Sequence, residues 1–500
     1  MNILGLGGIG HNAAAAIARD GQLLAAVEQK KIVRIPTAAG LPNEAIEAVL
    51  KLAAIDSGAV DIVAVARPFP LETQIHLAIR KHFPKARVIV AAHHTAHAAA
   101  AYYFSPFDRA TVLTLDNGAD FRCGARWSAS GPQLIPDREL YVPDSLGEMY
   151  SRVTSYLGFH PGVDEQKVQW LSTNGAPVKS SLFKDAFTLD GDWVAQTQPP
   201  AVEGLAGVAP ADIAASVQSA LEDIVLHLAG SGENLCLGGG VFSNALLVAR
   251  LERSGRYKNV HVNPAVGNAG TALGALAFAW HNVLGGSGRM TIGNGCLGPE
   301  SDLEEIKRVF ENCKLRFTRF LTTGEVLDTS IDQLRRDRIV AWMQGRMEFG
   351  SRALGNRSIL ASPVNPYSTE NLNVFIKHRE PYRKFAASVP AELASEYFEV
   401  GPNARYLATV GRVRAAHRDQ FAGAIMADGL VRVHTVDEAD NPLFWRLLHK
   451  ATPAFGIPVL LNTSFNLFGD PLVCTPRDAV RSFYSSGIDA LFAGHFFVEK

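Results

Sequence analysis

Residues 2–28 read NILGLGGIGHNAAAAIARDGQLLAAVE, and this stretch decides the fold of the first half of the chain. Its glycines form a GxGxxG pattern after an apolar strand, and Glu28 follows further on, as in dinucleotide-binding folds. However, Asp20-Gly21 is a strong turn signal that divides the following residues into two short apolar runs. Too little chain remains for the crossover helix that a dinucleotide fold requires. The stretch therefore predicts a strand followed by a β-hairpin, and the dinucleotide fingerprint is the less favoured alternative.

Short strand-like runs that end in glycine or a polar turn recur along the chain, among them ARVIVAA, ATVLTLDNG and NLCLGGG. They alternate with alanine-rich helical stretches, which predicts an α/β fold. A strand, a glycine-rich loop and a hairpin at the start of the chain are typical of the actin-like ATPase architecture. The glycine-rich segment 285–299 marks the main boundary. We therefore expect an actin-like domain at 1–290, a linker at 291–317 and a second α/β domain at 318–500.

Composition limits the function classes. The 500 residues are too many for one small binding module and indicate about two to four domains. Lys and Arg number 48 against 49 Asp and Glu, so the net charge is −1 and no basic excess points to nucleic acid. The five cysteines are scattered without a CxxC pair, which argues against disulfides or a zinc knuckle. Without a signal-peptide or membrane-spanning pattern, we expect a soluble, cytoplasmic protein that binds neither nucleic acid nor membranes.

Three histidines follow a predicted strand, in the segment AAHHTAHAAA at 91–100. His93 and His97 are four residues apart on a predicted helix, so both imidazoles project from one face at the spacing that a metal requires. Asp116, in VLTLDNGAD, follows an apolar strand and offers a third ligand. The segment predicts contact with a metal or an anion. Two alternatives stay open: the histidines cap or pack the helix start, and the carboxylate forms a turn with Asn117-Gly118.

Two glycine-rich junctions precede helices. The first, LGGGVFSN at 237–244, has backbone N–H groups that are suited to phosphate or ribose oxygens. Glycines at such junctions also serve close packing, so this signal is weak by itself. The second, PAVGNAGT at 264–271, presents Asn268 on a glycine-flanked turn.

Cationic residues gather in motif-like segments of the C-terminal part. The segments are GRMEFGSRALGNRSIL at 345–360, IKHREPYRKFA at 376–386, RVHTV at 432–436 and LNTSFN at 461–466. Lys377, Arg379 and Arg383 alternate with other residue types, as in a strand or loop that lines a cleft. Guanidinium groups bind phosphate bidentately, so these cations with Ser464 and Asn466 predict an anion-binding site.

Surface ion pairing is the alternative explanation for these cations, with Glu348, Glu380 and Asp428 as the partners. LNTSFN follows the apolar residues PVL and should lie inside the domain, so the sequence favours the anion site for the set as a whole.

Several long segments resemble the ATP-dependent O-carbamoyltransferases of the NodU/CmcH type, to which tobramycin carbamoyltransferase is similar. The matching segments are HHTAHAAAAYY, SLGEMYSRVTSYLGF, LCLGGGVFSNALLVARL, PAVGNAGTALGA, GRMEFGSRALGNRSILASP, IKHREPYRKFAAS, NPLFWRLL and PVLLNTSFNLFGDPLVCTPRDA. They extend almost from end to end, and several are too specific to match by chance. The resemblance implies an N-terminal actin-like domain, similar to the threonylcarbamoyl transferases of tRNA modification, followed by a YrdC-like domain.

The resemblance also implies a reaction. The YrdC-like half would use carbamoyl phosphate and ATP, with Mg²⁺, to form carbamoyl adenylate. The N-terminal half would transfer the carbamoyl group to a hydroxyl or amine of a small molecule, beside Fe²⁺ or another divalent metal. Natural-product biosynthesis is the expected setting, and a homodimer stays open. The alternative is a repurposed relative that uses carbamoyl adenylate to activate a group for elimination or cyclisation.

The residues that the resemblance assigns fall into four groups. The catalytic residues are His11, His93, His97, Arg352 and Lys377. The contacts to carbamoyl phosphate and adenylate are Arg352, Lys377, Arg383, Arg432, Ser464 and Asn466, and those to a nucleotide in the N-terminal domain are Gly239, Gly240 and Asn244. The metal ligands are His93, His97 and Asp116, with Asn268 in place of a carboxylate.

Four segments depart from the family pattern. GDAG is replaced by Gly267-Asn268-Ala269-Gly270, the HDAS-like segment by His11-Asn12-Ala13-Ala14, RxKH by Arg34-Ile35-Pro36-Thr37, and MGLAPYG by QWLSTNG at 169–175. All four belong to the predicted N-terminal domain. An amide oxygen is a weaker ligand than a carboxylate, so the sequence predicts a weak or absent metal.

Overall fold

The computed structural model describes residues 1–199, 202–421 and 423–500. Its contacts divide the chain into two compact units. The first unit comprises Met1–Ala26 and Ala39–Ile292, and the second comprises Val27–Ala38 and Gly293–Lys500. Over the described ranges, we find no helix with the length and apolar character needed to cross a bilayer.

The first unit contains two main sheets and a short hairpin. In chain order the strands are β1 (Asn2–Gly7), β2 (Ala14–Arg19), β3 (Gln22–Glu28), β4 (Ile62–Ala66), β5 (Arg87–Ala91), β6 (Arg109–Ala119), β7 (Arg122–Ser130), β8 (Gln133–Tyr141), β9 (Phe187–Asp190), β10 (Trp193–Gln196), β11 (Gly232–Gly238) and β12 (Tyr257–Val262). The short helix α1 (Gln29–Val33) lies between β3 and β4 in sequence but belongs to the second unit.

The two five-stranded sheets of the first unit have the same topology. One has the strand order β3-β2-β1-β4-β5, and the other has the order β8-β7-β6-β11-β12. In each sheet the first strand pairs antiparallel with the second and parallel with the fourth, which is parallel to the fifth. This duplicated arrangement is the one that the actin-like expectation requires.

The opening hairpin confirms the prediction from residues 2–28. β1 and β2 pair antiparallel, with Leu4 opposite Ile17. Between β2 and β3, Asp20 and Gly21 have φ angles of 50° and 80°, as a two-residue hairpin turn requires. The chain after the first glycine-rich loop is therefore a second strand and not the crossover helix of a dinucleotide fold.

Helices cover the sheets of the first unit. They are α2 (Asn43–Ala53), α3 (Glu72–His82), α4 (His93–Tyr103), α5 (Leu146–Tyr156), α6 (Glu165–Leu171), α7 (Ser180–Lys184), α8 (Pro210–Ala229), α9 (Ala245–Arg253) and α10 (Thr271–Phe278). The alanine-rich helices α4 and α10 pack against each other, and α10 also packs on β1. Small side chains let these elements approach closely, which fixes the start of α4 beside the turn that precedes α10.

The second unit is built on one mixed ten-stranded sheet. Its strands are β13 (Thr318–Arg319), β14 (Val340–Met343), β15 (Arg357–Ala361), β16 (Ala386–Pro390), β17 (Phe398–Glu399), β18 (Val410–Val413), β19 (Leu430–Val436), β20 (Leu460–Ser464), β21 (Ala490–Ala493) and β22 (Phe496–Glu499). Its helices after α1 are α11 (Leu303–Asn312), α12 (Thr323–Arg335), α13 (Ser368–Asn371), α14 (Ala394–Tyr397), α15 (Pro442–Phe455) and α16 (Pro476–Tyr484).

Alternation along the central strands of this sheet separates two apolar cores. The strand order is β13-β22-β21-β14-β15-β20-β16-β19-β18-β17. Val433 and Leu461 join the core on one face, whereas Val436 and Leu460 join the core on the other. Because successive side chains of a strand point to opposite faces, polar residues in phase with Leu460 lie on that second face.

A segment from the start of the chain, residues 27–38, is part of the second unit and is here called the strap. The Glu28 carboxylate accepts a hydrogen bond from Gly350 N at 3.0 Å and pairs with Lys31. The Lys31 ammonium also donates to the carbonyls of Glu348 and Gly350, at 2.9 and 2.7 Å. Arg34 donates to the carbonyl of Pro471 at 2.7 Å.

These contacts correct the expectation that Arg34-Ile35-Pro36-Thr37 belongs to the N-terminal domain. The side chains of the strap are satisfied by backbone groups of the second unit, and its buried ion pair lies against the loop that precedes Arg352. The strap is therefore a structural part of the second unit, although it comes from the start of the chain.

Candidate functional site

Five cations of the second unit lie close together, and we call Arg352, Lys377, Arg379, Arg383 and Arg432 the cation cluster. Arg352 lies in the loop between β14 and β15, and Lys377 ends a helical turn after α13. Arg379 and Arg383 follow in the loop that leads to β16, and Arg432 is on β19. Loops and strand ends thus bring together residues that are far apart in the sequence.

Lys377 is fixed by the end of β20 and the turn after it. Its side chain is buried, and the ammonium donates to the carbonyls of Ser464 and Asn466 at 2.5 and 3.0 Å and to Asn466 Oδ1 at 2.7 Å. The Ser464 hydroxyl donates to the same Asn466 Oδ1 at 2.7 Å. Lys377, Ser464 and Asn466, which the sequence predicted as one group, are therefore in direct contact.

The pKa shifts of the clustered cations show that these residues lie close enough to one another to interact electrostatically. Burial, and after it the neighbouring Arg383, lower the pKa of Arg352 to about 10. Burial and Arg383 likewise lower the pKa of Arg379 to about 9, against the raising effect of Glu380. For Lys377 and Arg432, burial is again the largest cause of a lowered pKa, followed by the surrounding arginines.

Two carboxylates near the cation cluster have identified partners. Glu348 is almost fully buried, and its Oε1 accepts the backbone N–H groups of Leu354, Asn356 and Arg357. Glu380 pairs with Arg383 at 3.5 Å. The Glu380–Arg383 pair is therefore one of the ion pairs that the alternative explanation names, whereas Glu348 Oε1 is occupied by backbone N–H groups. Desolvated cations of one sign are stabilised when an anion binds between them, so the geometry favours an anion site.

Sulfate binding near pH 8 is expected to take up protons. The pKa of Lys377 is lowered in the free protein, and a bound anion favours the charged form and raises that pKa again. Titration calorimetry in buffers of different ionisation enthalpy measures this uptake, up to about one proton per site. Sulfate itself does not titrate in this range. A binding heat that is independent of the buffer would show that Lys377 stays charged without an anion.

A second site lies in the first unit, where α4 begins beside β6. His93 and His97 stand one helical turn apart on α4, and Asp116 lies at a bulge of β6. The His93 and His97 Nε2 atoms are 3.3 and 3.2 Å from the same Asp116 oxygen and 3.1 Å from each other. One ligand atom of each residue falls within 4.8 Å of the others. We call these three residues the histidine–aspartate site.

Burial and hydrogen bonding act in opposition in this site. Burial raises the pKa of Asp116, but hydrogen bonds from His93 and His97 outweigh it and hold that pKa well below its usual value. Burial lowers the pKa of His97, and Asp116 opposes this only in part. A carboxylate and imidazole nitrogens that converge in this way form a donor set suited to a divalent cation.

Asn268 supplies an observation that points to the same ligand. It begins the turn Asn268–Gly270 before α10, and its side chain lies near His97. Its Oδ1 atom is buried without a well-formed hydrogen bond in the described part of the chain, although the amide lies close enough to His97 to raise the pKa of that ring. An oxygen that lacks a well-formed hydrogen bond beside two imidazoles and a carboxylate fits a further ligand. The residues present therefore fit a divalent metal, with the amide oxygen of Asn268 as a fourth donor beside His93, His97 and Asp116.

The remaining predicted residues of this unit lie around the same turns. His11 is exposed in the loop between β1 and β2, where its ring contacts Asn12. Gly8 N of that loop donates to Thr271 Oγ1 at 3.0 Å, and Thr271 Oγ1 donates to Asn268 O at 2.6 Å. The loop that carries His11 is thus fastened to the Asn268 turn. The catalytic role of His11 stays a prediction.

The residues of the glycine-rich junction after β11 have structural roles. Gly239 has a φ of 99°, and a Cβ there would lie 2.1 Å from the Leu115 carbonyl oxygen. A Cβ on Gly240 would lie 2.9 Å from Asp116 Oδ1. Asn244 caps α9 and pairs its amide with Gln218. Nucleotide contact by these three residues stays a prediction, because turn geometry and capping already account for them.

Sequence reasoning missed Asp120 and Arg357. Asp120 Oδ2 accepts the His93 backbone N–H at 3.2 Å, at the start of α4, and its Oδ1 is buried without a hydrogen-bond partner among the described residues. The second acidic residue of VLTLDNGAD was the available signal. Arg357 is fully buried and donates to the carbonyls of Gln344 and Gly345, so it supports the loop that carries Arg352. Its place in an apolar strand gave no functional signal.

Sequence models of one family match most of the chain. "Carbamoyltransferase N-terminus" matches residues 63–192 and 183–277, and "Carbamoyltransferase C-terminus" matches residues 331–500. The nodulation protein NolNO of Sinorhizobium fredii is 32% identical over 98% of this chain and 79% of its own length. The 3'-hydroxymethylcephem-O-carbamoyltransferase of Amycolatopsis lactamdurans is 30% identical over 54% of this chain and 49% of its own length.

The solved structures to which the chain is similar include full-length HypF in the phosphate- and nucleotide-bound form. It has a TM-score of 0.41 and 16% sequence identity, and the match covers 57% of this chain and 47% of HypF. The family matches and the duplicated sheet topology of the first unit confirm the predicted α/β fold class. The protein is a transferase, and the chain belongs to the carbamoyltransferase family.

Proposed function

We propose that the protein is an ATP-dependent carbamoyltransferase that makes carbamoyl adenylate from carbamoyl phosphate and ATP and transfers the carbamoyl group to a small molecule. The observation that carries this proposal is the cation cluster, which gathers five buried or half-buried cations within electrostatic range of one another. Carbamoyl phosphate and ATP are both rich in phosphate oxygens, and guanidinium groups bind such oxygens bidentately.

The adenylation step belongs to the cation cluster. Exchange of phosphate for AMP on the carbamoyl group consumes one water molecule and releases phosphate and pyrophosphate. Arg352, Arg383 and Arg432 neutralise the phosphate charges, which otherwise repel one another. Lys377 stands against Ser464 and Asn466 and supports the charge that develops as pyrophosphate leaves. Burial keeps water away from the mixed anhydride, which is easily hydrolysed.

The transfer step is assigned to the histidine–aspartate site. His93, His97, Asp116 and Asn268 would hold a divalent metal, which when bound polarises the carbamoyl carbonyl as a Lewis acid. Asp116 orients both imidazole rings through one oxygen. The exposed ring of His11, on the loop fastened to the Asn268 turn, takes the proton from the acceptor hydroxyl. A hydroxyl acceptor is supported by the relative that is named an O-carbamoyltransferase.

The test is to incubate the protein with ATP, Mg²⁺ and carbamoyl phosphate, and to measure pyrophosphate together with carbamoyl adenylate by mass spectrometry. Both products are expected, and neither should appear without carbamoyl phosphate. A screen of hydroxyl-bearing acceptors for a mass gain of one carbamoyl group follows. Absence of pyrophosphate with folded protein and both substrates present would overturn the proposal.

A further inference from the structure

Three polar side chains form a buried row across the sheet of the second unit, and we call Ser388, His434 and Asn462 the polar row. They come from the neighbouring strands β16, β19 and β20, and each is at most 3% exposed. Ser388 is opposite His434 in the parallel pair, and Ala386 is opposite Asn462 in the antiparallel pair. All three lie on the sheet face that also carries Leu460 and Val436.

The polar row adjoins the cation cluster on this same face. Arg432 is two residues before His434 on β19, and Ser464 is two residues after Asn462 on β20. Side chains two positions apart on a strand are about 7 Å apart. The polar row therefore begins about 7 Å along the strands from the residues that hold phosphate in the proposed function.

Hydrogen bonds fix the direction of the Asn462 amide. Its Nδ2 donates to Ser388 Oγ at 3.1 Å and to the Ala353 carbonyl at 3.4 Å, and Ala353 directly follows Arg352. A carbonyl only accepts, so the amide nitrogen and not the amide oxygen must face it. Ser388 Oγ lies 3.0 Å from His434 Nδ1. Burial lowers the pKa of His434 to about 3, so this ring is neutral, and its tautomer decides whether Nδ1 accepts the Ser388 hydroxyl proton or donates to the Ser388 oxygen.

This orientation leaves the amide oxygen of Asn462 available as a hydrogen-bond acceptor. Asn462 Oδ1 is buried and accepts no hydrogen bond within the described part of the chain. A buried acceptor without a donor is costly, so native proteins retain one mainly where a ligand or an ordered water completes it. Beside a cluster of cations, the matching ligand carries an anionic group and, a short distance away, an uncharged N–H or O–H donor.

We propose that Asn462 Oδ1 accepts a hydrogen bond from the amino group of carbamoyl phosphate and so selects this substrate over acyl phosphates that lack the donor. This inference rests on the proposed function. Acetyl phosphate has the same shape and charge but a methyl group in place of the amino group, so it would leave the amide oxygen unpaired. Sites that hydrogen-bond a substrate N–H or O–H reject analogues without it more strongly than apolar pockets reject a change in size.

The first experiment compares carbamoyl phosphate with acetyl phosphate as the partner of ATP in pyrophosphate release by the wild-type protein. A preference for carbamoyl phosphate of at least about tenfold in kcat/KM is expected. In Asn462→Ala, kcat/KM for carbamoyl phosphate should fall about 10- to 100-fold, while the value for acetyl phosphate and the KM for ATP stay within twofold. Stabilisation of the variant by inorganic phosphate in a thermal shift reports that its fold and cation cluster are intact.

A matched control is Asn263→Ala in the other unit. Asn263 is as buried as Asn462, but both ends of its amide are paired, with Ala100 O and Ala265 N. This control should retain the wild-type preference for carbamoyl phosphate over acetyl phosphate, even if the substitution lowers the thermal stability of the protein. If Asn462→Ala does not fold, Ser388→Ala serves instead, because it frees the amide to rotate and should reduce the preference about threefold or more.

The outcomes separate the two proposals. If the wild type releases no pyrophosphate with carbamoyl phosphate, the proposed function fails. If it does, but uses acetyl phosphate equally well, the inference about Asn462 is wrong. It is also wrong if both Asn462→Ala and Ser388→Ala keep the wild-type preference. An increase in the KM for ATP without a change for carbamoyl phosphate would show that the amide contacts the nucleotide instead, and would likewise overturn the inference.

Discussion

Replacing Lys377 with methionine is expected to reduce carbamoyl phosphate-dependent pyrophosphate release about 100- to 1000-fold. The ammonium is buried and held by Ser464 and Asn466, and methionine at this position cannot donate these hydrogen bonds or supply the charge. Methionine has nearly the same length and an apolar side chain, and it removes a buried charge that the protein stabilises poorly without an anion. The loss should therefore appear in catalysis while the folded state is kept or stabilised.

His93→Ala provides the complementary result. His93 is in the first unit, in the histidine–aspartate site, and the proposed function assigns it to transfer and not to adenylation. This variant should release pyrophosphate at close to the wild-type rate and lose carbamoyl transfer to an acceptor. Lys384→Met is the matched control for charge, since Lys384 is half-buried in the same loop as Arg383 and should stay within about twofold of wild type.

Equal loss of pyrophosphate release in Lys377→Met and His93→Ala would contradict two separate chemical sites. Full activity of Lys377→Met would show that the arginines of the cation cluster suffice, and would remove Lys377 from the adenylation step. Both measurements use the same pyrophosphate assay, with thermal unfolding of each variant as the check on folding.

Local signals in the sequence predicted the parts of the fold that depend on short stretches. The Asp20-Gly21 turn fixed the opening hairpin because both residues adopt the positive φ that such a turn needs. The spacing of His93 and His97 placed two imidazoles on one face because the segment is helical, as expected. These features follow from neighbouring residues, so an analysis of the sequence alone could reach them.

Features that depend on distant pairing were not predictable in this way. The strap lies at the start of the chain, yet its Glu28 and Lys31 are satisfied by backbone groups of residues 348–350. The polar row exists because β16 lies between β19 and β20 in the sheet, an order that no local pattern encodes. Asn244, which the sequence predicted as a nucleotide contact, also pairs with Gln218 on α8 and caps α9, and the pair with Gln218 depends on the fold.

Asn268→Asp is expected to raise the affinity of the histidine–aspartate site for Fe²⁺ or Zn²⁺ by about 10- to 100-fold. In the native protein, two imidazoles, one carboxylate and the amide oxygen of Asn268 form the donor set. The substitution places a second negative charge beside Asp116, and this charge favours the bound cation directly. Without metal the two carboxylates repel each other, so the variant should also gain more thermal stability than wild type when metal is added.

The measurement is metal content after equilibrium dialysis against defined concentrations of Fe²⁺ or Zn²⁺, with the thermal shift on metal addition as a second readout. Asn282→Asp is the matched control, because it makes the same charge change at an exposed position of the same unit. Its metal content should equal that of wild type. Stoichiometric iron in wild type that Asn268→Asp leaves unchanged would show that the amide is an adequate ligand. The departure from GDAG would then have no consequence for metal binding.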